Sequence, residues 1–133
     1  MSEEIKRSQL EYPLDLQSVS ILKDFLERNF PAYLYRSIKQ TLTIQSGATS
    51  FNILSNYMVL TGAAAVTIAT IIGGYEGQKI ILQFTDSNVT ITDDSSGNLN
   101  TVNLSAAFTS TSNDILTLIY DGVSWREVSR SVN

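Results

Sequence analysis

Between Thr41 and Tyr75 the chain runs for 35 residues without one charged side chain, and Ser95 to Asn113 is a second such run of 19 residues. No other feature restricts the fold as strongly. Exposed edges and faces of monomeric β proteins are normally defended by Lys, Glu or Pro. A chain that omits them must hydrate its surface through Ser, Thr and Asn, or cover that surface with something else. Oligomeric interfaces are depleted in charge in the same way. The run is therefore read as strands that pack against copies of themselves, with a hydroxyl-rich monomer surface as the competing reading.

The apolar residues in and after these runs recur with period two. Leu42 and Ile44 alternate with Thr41 and Thr43, and Phe51 and Ile53 flank Asn52. Val66, Ile68 and Ile72 share a parity. Gln78 to Phe84, Val89 to Ile91, Ile115 to Tyr120 and Trp125 to Val128 continue the pattern. Short β-branched segments separated by Gly, Asn, Asp and Ser predict a mainly β fold. The expectation is about seven to nine antiparallel strands in a sandwich or small barrel. Asp121-Gly122 predicts a tight type I′ hairpin, in which both central residues take positive φ. Asp93 to Asn98 predicts a longer turn.

The amino-terminal region is of another kind. Leu16, Val19, Leu22 and Leu26 recur at helical spacing, and Phe25 and Phe30 widen the stripe. Asp15 and Ser18 are suitable N-caps, and Pro31 disfavours helical geometry at the residue before it. One amphipathic helix of about 12–14 residues is expected here, preceded by an extended or disordered arm. Residues 1–40 are thus set apart from the β domain of 41–133. The stripe of Leu16, Val19, Leu22, Phe25, Leu26 and Phe30 either covers one end of the β domain or supplies attachment or oligomer contacts, as an anchor on a larger assembly or on its symmetry mates. A chain of 133 residues buries about two-thirds of its extended surface on folding, enough for one core without staples.

Several functions are disfavoured by composition. The chain has no Cys and no His, so disulfides, thiolate nucleophiles, Ser-His-Asp triads and the usual transition-metal sites are out of reach. Nine Lys plus Arg against thirteen Asp plus Glu form no basic cluster for phosphates, so nucleic acid is not an expected partner. Met1-Ser2-Glu3-Glu4 does not open a signal peptide. Tyr57 to Ile72, at 16 residues, falls short of the ~20 a membrane helix needs. Gly73 to Lys79 fails the phosphate-loop template, because Gln78 stands where Gly is required and Ile80 where a hydroxyl is required. Asp93 and Asp94 do not meet the EF-hand spacing, which leaves open a looser calcium site built on oxygen ligands. No pair of carboxylates stands out for glycosidase chemistry. No enzyme activity and no cofactor is expected. Trp125, the only Trp, with Tyr120 beside it, is either a ligand-stacking platform or a core anchor.

From Gly74 onward the order of motifs is that of a known group. Gly77-Gln78-Lys79-Ile80-Ile81-Leu82-Gln83-Phe84 is followed by Asn88-Val89-Thr90-Ile91 and Asn103-Leu104. The chain then closes on Asp114 to Arg130, DILTLIYDGVSWREVSR. Over roughly its last 60 residues the chain resembles β-rich modules of tailed-bacteriophage virion proteins, namely tail fibres, head fibres and capsid decoration proteins. The resemblance implies a non-enzymatic, homotrimeric structural component, made in the host cytoplasm and located on the virion. It would attach through its amino-terminal segment to capsid, tail or baseplate proteins. The alternative implied is a tail-fibre module that binds a receptor or host surface glycan. The chain lacks collagen-like Gly-X-Y runs, shaft repeats and His-x-His pairs, so a short head fibre, decoration protein or small tail or baseplate part fits better than a long fibre.

Overall fold

The computed structural model describes residues 38–133, together with Ser20 and Ile21. The helix expected over the amino-terminal stripe, and with it Leu16, Val19, Leu22, Phe25, Leu26 and Phe30, lies outside the described residues. The β body belongs to the unit Arg36–Asn133.

Among the described residues eleven strands follow one another: β1 Gln40–Ile44, β2 Ser50–Asn52, β3 Tyr57–Gly62, β4 Val66–Ile68, β5 Thr70–Ile72, β6 Lys79–Phe84, β7 Val89–Ile91, β8 Val102–Asn103, β9 Phe108–Thr109, β10 Ile115–Tyr120 and β11 Trp125–Ser131. The protein is mainly β, as the alternation predicts. The expected antiparallel sandwich or barrel is not what forms. β1, β3 and β6 lie side by side in parallel, as do β2 with β5 and β4 with β7. Parallel neighbours need a long connection. Here the connection is made by strands of the other faces, so the chain winds as a short solenoid. Period two describes which face a side chain takes and carries no information about strand direction, which is why the alternation did not reveal the winding.

Register makes the core. Leu42 stacks on Leu60 and Leu60 on Phe84. Met58 lies beside Leu82 and Leu82 beside Leu116. On the second face Ile68 meets Ile91, which meets Phe108, and on the third Phe51 meets Ile71. These columns fuse into one buried cluster, with the Phe84 and Phe108 rings 5.0 Å apart. The corner at Ala69 breaks the expected parity. Its amide donates to Thr49 O at 2.8 Å, and the strand beyond it turns Ile71 inward and Ile72 outward.

In the six-stranded sheet the parallel run stops at β6, while β7 completes the coil against β4 on the second face. On the far side of β6, β10 runs antiparallel, followed by antiparallel β11 with a bulge at Val128 and then by β8, parallel to β11. The six-stranded sheet therefore reads β1-β3-β6-β10-β11-β8. The hairpin expected at Asp121-Gly122 is present, but with a loop of Asp121 to Ser124 between the strands. Only Gly122 of the pair has positive φ, +102°. The type I′ geometry is displaced because the Asp121 carboxylate accepts the amides of Val123 and Ser124, each at 2.9 Å, and so builds a wider capped loop.

Trp125 locks this closure. Its side chain is fully buried, its Nε1–H donates to Ile71 O at 2.9 Å, and its ring lies 4.8 Å from that of Tyr120. Gly74 packs against both rings. A β-carbon at that position would lie 2.6 Å from Trp125 Cζ2 and 2.9 Å from the Tyr120 ring. Gly74→Ala should lower stability by about 1–3 kcal/mol through overpacking, and Trp125→Ala by about 3–5 kcal/mol through the cavity it leaves. Urea unfolding followed by fluorescence or circular dichroism checks both, and a neutral Gly74→Ala would contradict the packing described.

Candidate functional site

Two features of the β body bear on function: where its carboxylates go, and what its largest sheet presents outward. Seven acids lie among the described residues, and six of them accept backbone amides. Asp86 takes Gly62 N at 3.1 Å and Asn88 N at 3.0 Å. Asp93 takes Leu104 N at 3.0 Å and Asp94 takes Ser96 N at 2.8 Å. Buried Asp114 takes Thr111 N at 2.7 Å and Asn133 N at 2.8 Å. Asp121 caps the hairpin loop as above. Glu127 takes Ser105 N at 2.7 Å and pairs with Arg130 Nε at 2.6 Å. Arg130 also reaches Ala106 O at 2.8 Å and lies over the Phe108 ring, its Cζ 5.3 Å from the centroid, so this pair closes the carboxyl-terminal end of the core.

The acidities agree with that use. Amides of Ser124 and Val123, with Arg126 beside them, hold Asp121 down at about 2. Arg130 is the main cause that lowers Glu127 to about 2, against the opposing effect of burial. The Ser96 hydroxyl and amide lower Asp94. Burial raises Asp114 most strongly of any single cause, but the hydrogen bonds from Asn133 and Thr111 together outweigh it and the net shift is downward. A general acid at neutral pH needs the opposite shift. Among the described residues no cluster of three or more metal-ligating acids forms. Asp93 and Asp94, the residues considered for calcium, point into separate loop bonds.

Gln78, in the Gly-Gln step that leads into β6, has a similar role. It is buried, its Nε2 donates to Asn56 Oδ1 at 2.8 Å, and its Oε1 accepts Tyr75 N at 3.2 Å. It ties the corner before β6 to the corner before β3. The Tyr120 hydroxyl lies 2.9 Å from Asn100 Oδ1 and from Val123 O. With Trp125 it faces inward, so neither ring offers a stacking face to a sugar. The sequence alternative of a core anchor describes their placement.

The outward face of the six-stranded sheet is different. Register aligns Thr41, Val59, Gln83, Ile115 and Ser131 in one row. Tyr57, Ile81, Thr117 and Ser129 form the next. Neither row holds a charge. Lys79 and Arg126 stand at one margin, on either side of Ile119. Two hollows flank other parts of the body. One of about 510 Å³ is lined by Asn103, Leu104, Ser105, Arg126, Glu127 and Val128, and its charged groups are already paired: Arg126 Nε with Asp121 at 2.9 Å, Glu127 with Arg130. The other, about 410 Å³, is lined at the first coil by residues that include Leu42, Ala48, Phe51 and Leu54. Among the described residues no helix is long and apolar enough to cross a membrane. Tyr57 to Ile72, the apolar stretch weighed for that role, forms three strands and their corners.

No protein-family model, curated protein sequence or solved structure matches this chain.

The downward shifts fix the sign of the pH dependence. Each of these carboxyls is more acidic folded than unfolded, so its contribution to stability is complete above its unfolded value and is lost as pH falls through the folded one. With Asp121 and Glu127 at about 2, stability should hold from neutral pH to about 4.5 and then decline toward pH 2. Chemical denaturation across that range checks it. Glu127→Gln should shorten the decline, and a profile flat from pH 5 to pH 2 would contradict the stapling role.

Proposed function

We propose that this protein is a non-enzymatic structural component of a tailed-phage particle: a homotrimeric head-fibre or capsid-decoration protein, or a small tail or baseplate part. Its β body would form the displayed portion and residues 1–40 the attachment segment. The observation that carries the reading is the commitment of carboxylates to backbone amides, beside a sheet face whose two central rows hold no charge. Acids that bridge loops at lowered pKa values stiffen a scaffold and are poorly suited to proton transfer. A smooth uncharged face suits packing in an assembly. The solenoid winding is in keeping with a displayed part, since each coil is hydrogen-bonded to the next along the body.

A receptor- or glycan-binding module is the second functional class raised by the resemblance. Its most specific support was an accessible Trp125, and that side chain is buried.

Incorporation into particles tests the proposal. Antibody against the β body should label intact phage particles of the encoding strain. A chain lacking residues 1–30 should keep the β-type circular dichroism of the full chain but be absent from particles purified by density gradient. Particles that carry no label would overturn the structural role, and incorporation of the truncated chain would overturn the attachment assignment.

A further inference from the structure

We propose that Asp121-Gly122 is a site of self-modification, isomerisation to isoaspartate, which the folded hairpin loop keeps silent and which opening of the loop releases. The pair lies in the loop that brings Tyr120 to Trp125, so its modification acts on the closure of the body. This holds whether or not the chain is part of a particle. It is the only Asp-Gly in the sequence, and there is no Asn-Gly.

An Asp followed by Gly carries both reactants of the step. The Gly122 main-chain nitrogen, with no side chain beside it to hinder close approach, attacks Cγ of the protonated Asp121 carboxyl. The N–Cγ bond forms, a Cγ–O bond breaks, and the amide hydrogen leaves with the hydroxyl as water. The cyclic imide then takes water back at either carbonyl. Opening at Cγ restores Asp121. Opening at the main-chain carbonyl leaves the chain running through Cβ and Cγ, with the carboxylate on Cα. One water leaves and one returns, so no other reactant is needed.

The folded loop opposes this step at both reactants. Asp121 Oδ1 accepts Val123 N and Ser124 N, each at 2.9 Å, and Oδ2 accepts Arg126 Nε at 2.9 Å. Attack requires a carboxyl that is protonated and free to turn its face to the Gly122 nitrogen, and these three bonds resist both. The same donors hold the group at about 2 against an ordinary 3.8, so well over tenfold fewer carboxyls are protonated at neutral pH. The main chain is held as well. Asp121 N donates to Ser124 O at 3.0 Å, and Val123 O accepts Asn100 N at 2.7 Å and Tyr120 Oη at 2.9 Å. Reaction therefore proceeds through the small fraction of chains whose loop is open.

Once made, isoaspartate lengthens the main chain by one carbon between Tyr120 and Trp125, which pair across the sheet. It also leaves a carboxylate one carbon shorter, which no longer reaches the amides of Val123 and Ser124 as before. Trp125 and Tyr120 pack on Gly74 so closely that a β-carbon is excluded there, so the rings have little room to shift. A brief opening of the closure is reversible, whereas a prolonged one is made permanent.

The full chain held at about 37 °C and near-neutral pH, in buffer and in guanidinium chloride, tests this, with isoaspartate located by peptide mapping and electron-transfer fragmentation. Isoaspartate at position 121 should accumulate at least tenfold faster in denaturant than in buffer, and Gly122→Ala should slow the denatured reaction several-fold. Folded Arg126→Ala, which lacks one of the three donors, should isomerise at least threefold faster than the parent in buffer. Should that variant not fold, the comparison of buffer with denaturant decides alone. After removal of denaturant, isomerised chains separated by reversed-phase chromatography should fail to regain the emission of buried Trp125, which unmodified chains regain. Equal rates in buffer and denaturant, or no isoaspartate at position 121 in denaturant, would overturn the silenced site. Isomerised chains that refold to the parent's stability would overturn the permanent opening.

Discussion

The fold depends on one indole. Trp125 begins the last strand, and its Nε1–H reaches across the interior to the carbonyl of Ile71 on another face of the solenoid. That bond fastens the antiparallel carboxyl-terminal hairpin to the wound part of the chain. Tyr120 covers one side of the ring, and Gly74 brings backbone against both aromatics, a distance that excludes any side chain at that position. Buried polar groups must be bonded, and here the bond also sets how the two halves of the body meet. Solenoids expose an open core at each end unless something terminates them. At this end the termination is the hairpin, with Arg130 over Phe108 and paired with Glu127.

Around that anchor, electrostatics is used locally. Six described carboxylates hold loops by accepting amides at their own turn or at a neighbouring coil. Charge is thereby drawn to corners and ends, and the flat faces are left to Thr, Ser, Gln and aliphatics. Catalytic clefts place titratable groups together and shift their acidity toward neutrality. In this body the displaced acids are dispersed, and each shift runs away from neutrality. The same division of labour that makes the corners rigid makes the large sheet smooth.

Much of the strand content was legible in the sequence. The alternation at Leu42–Ile44, Gln78–Phe84, Val89–Ile91 and Ile115–Tyr120 marks real strands and their inward residues. What failed did so for physical reasons. Strand direction is not encoded in period two, and the coil starts at Gln40, Tyr57 and Lys79 are unequally spaced, so no repeat betrays the winding. Ile72 shares a parity with Val66 and Ile68 in the sequence but faces outward, because the corner at Ala69 shifts parity by one residue, and a single small residue gives no warning of that. Asp121-Gly122 signalled a turn, but the carboxylate cap that widens it needs the geometry of Val123 and Ser124. The use of acids as staples was equally hidden, since their amide partners lie up to 24 positions away, as for Gly62 and Asp86. Trp125 could not be assigned to core or surface without the position of Ile71.

The junction at β6 separates two kinds of construction. Upstream, strands repeat in parallel and each coil presents to the next the same edge that it received. Downstream, β10 reverses direction and ends the repetition. Length and termination are thus independent properties of this body. A further coil of roughly 20 residues placed before β6 would lengthen it by about 4.8 Å and leave the Trp125 closure intact. Whole coils can thus be added or removed while one unchanged cap closes the body.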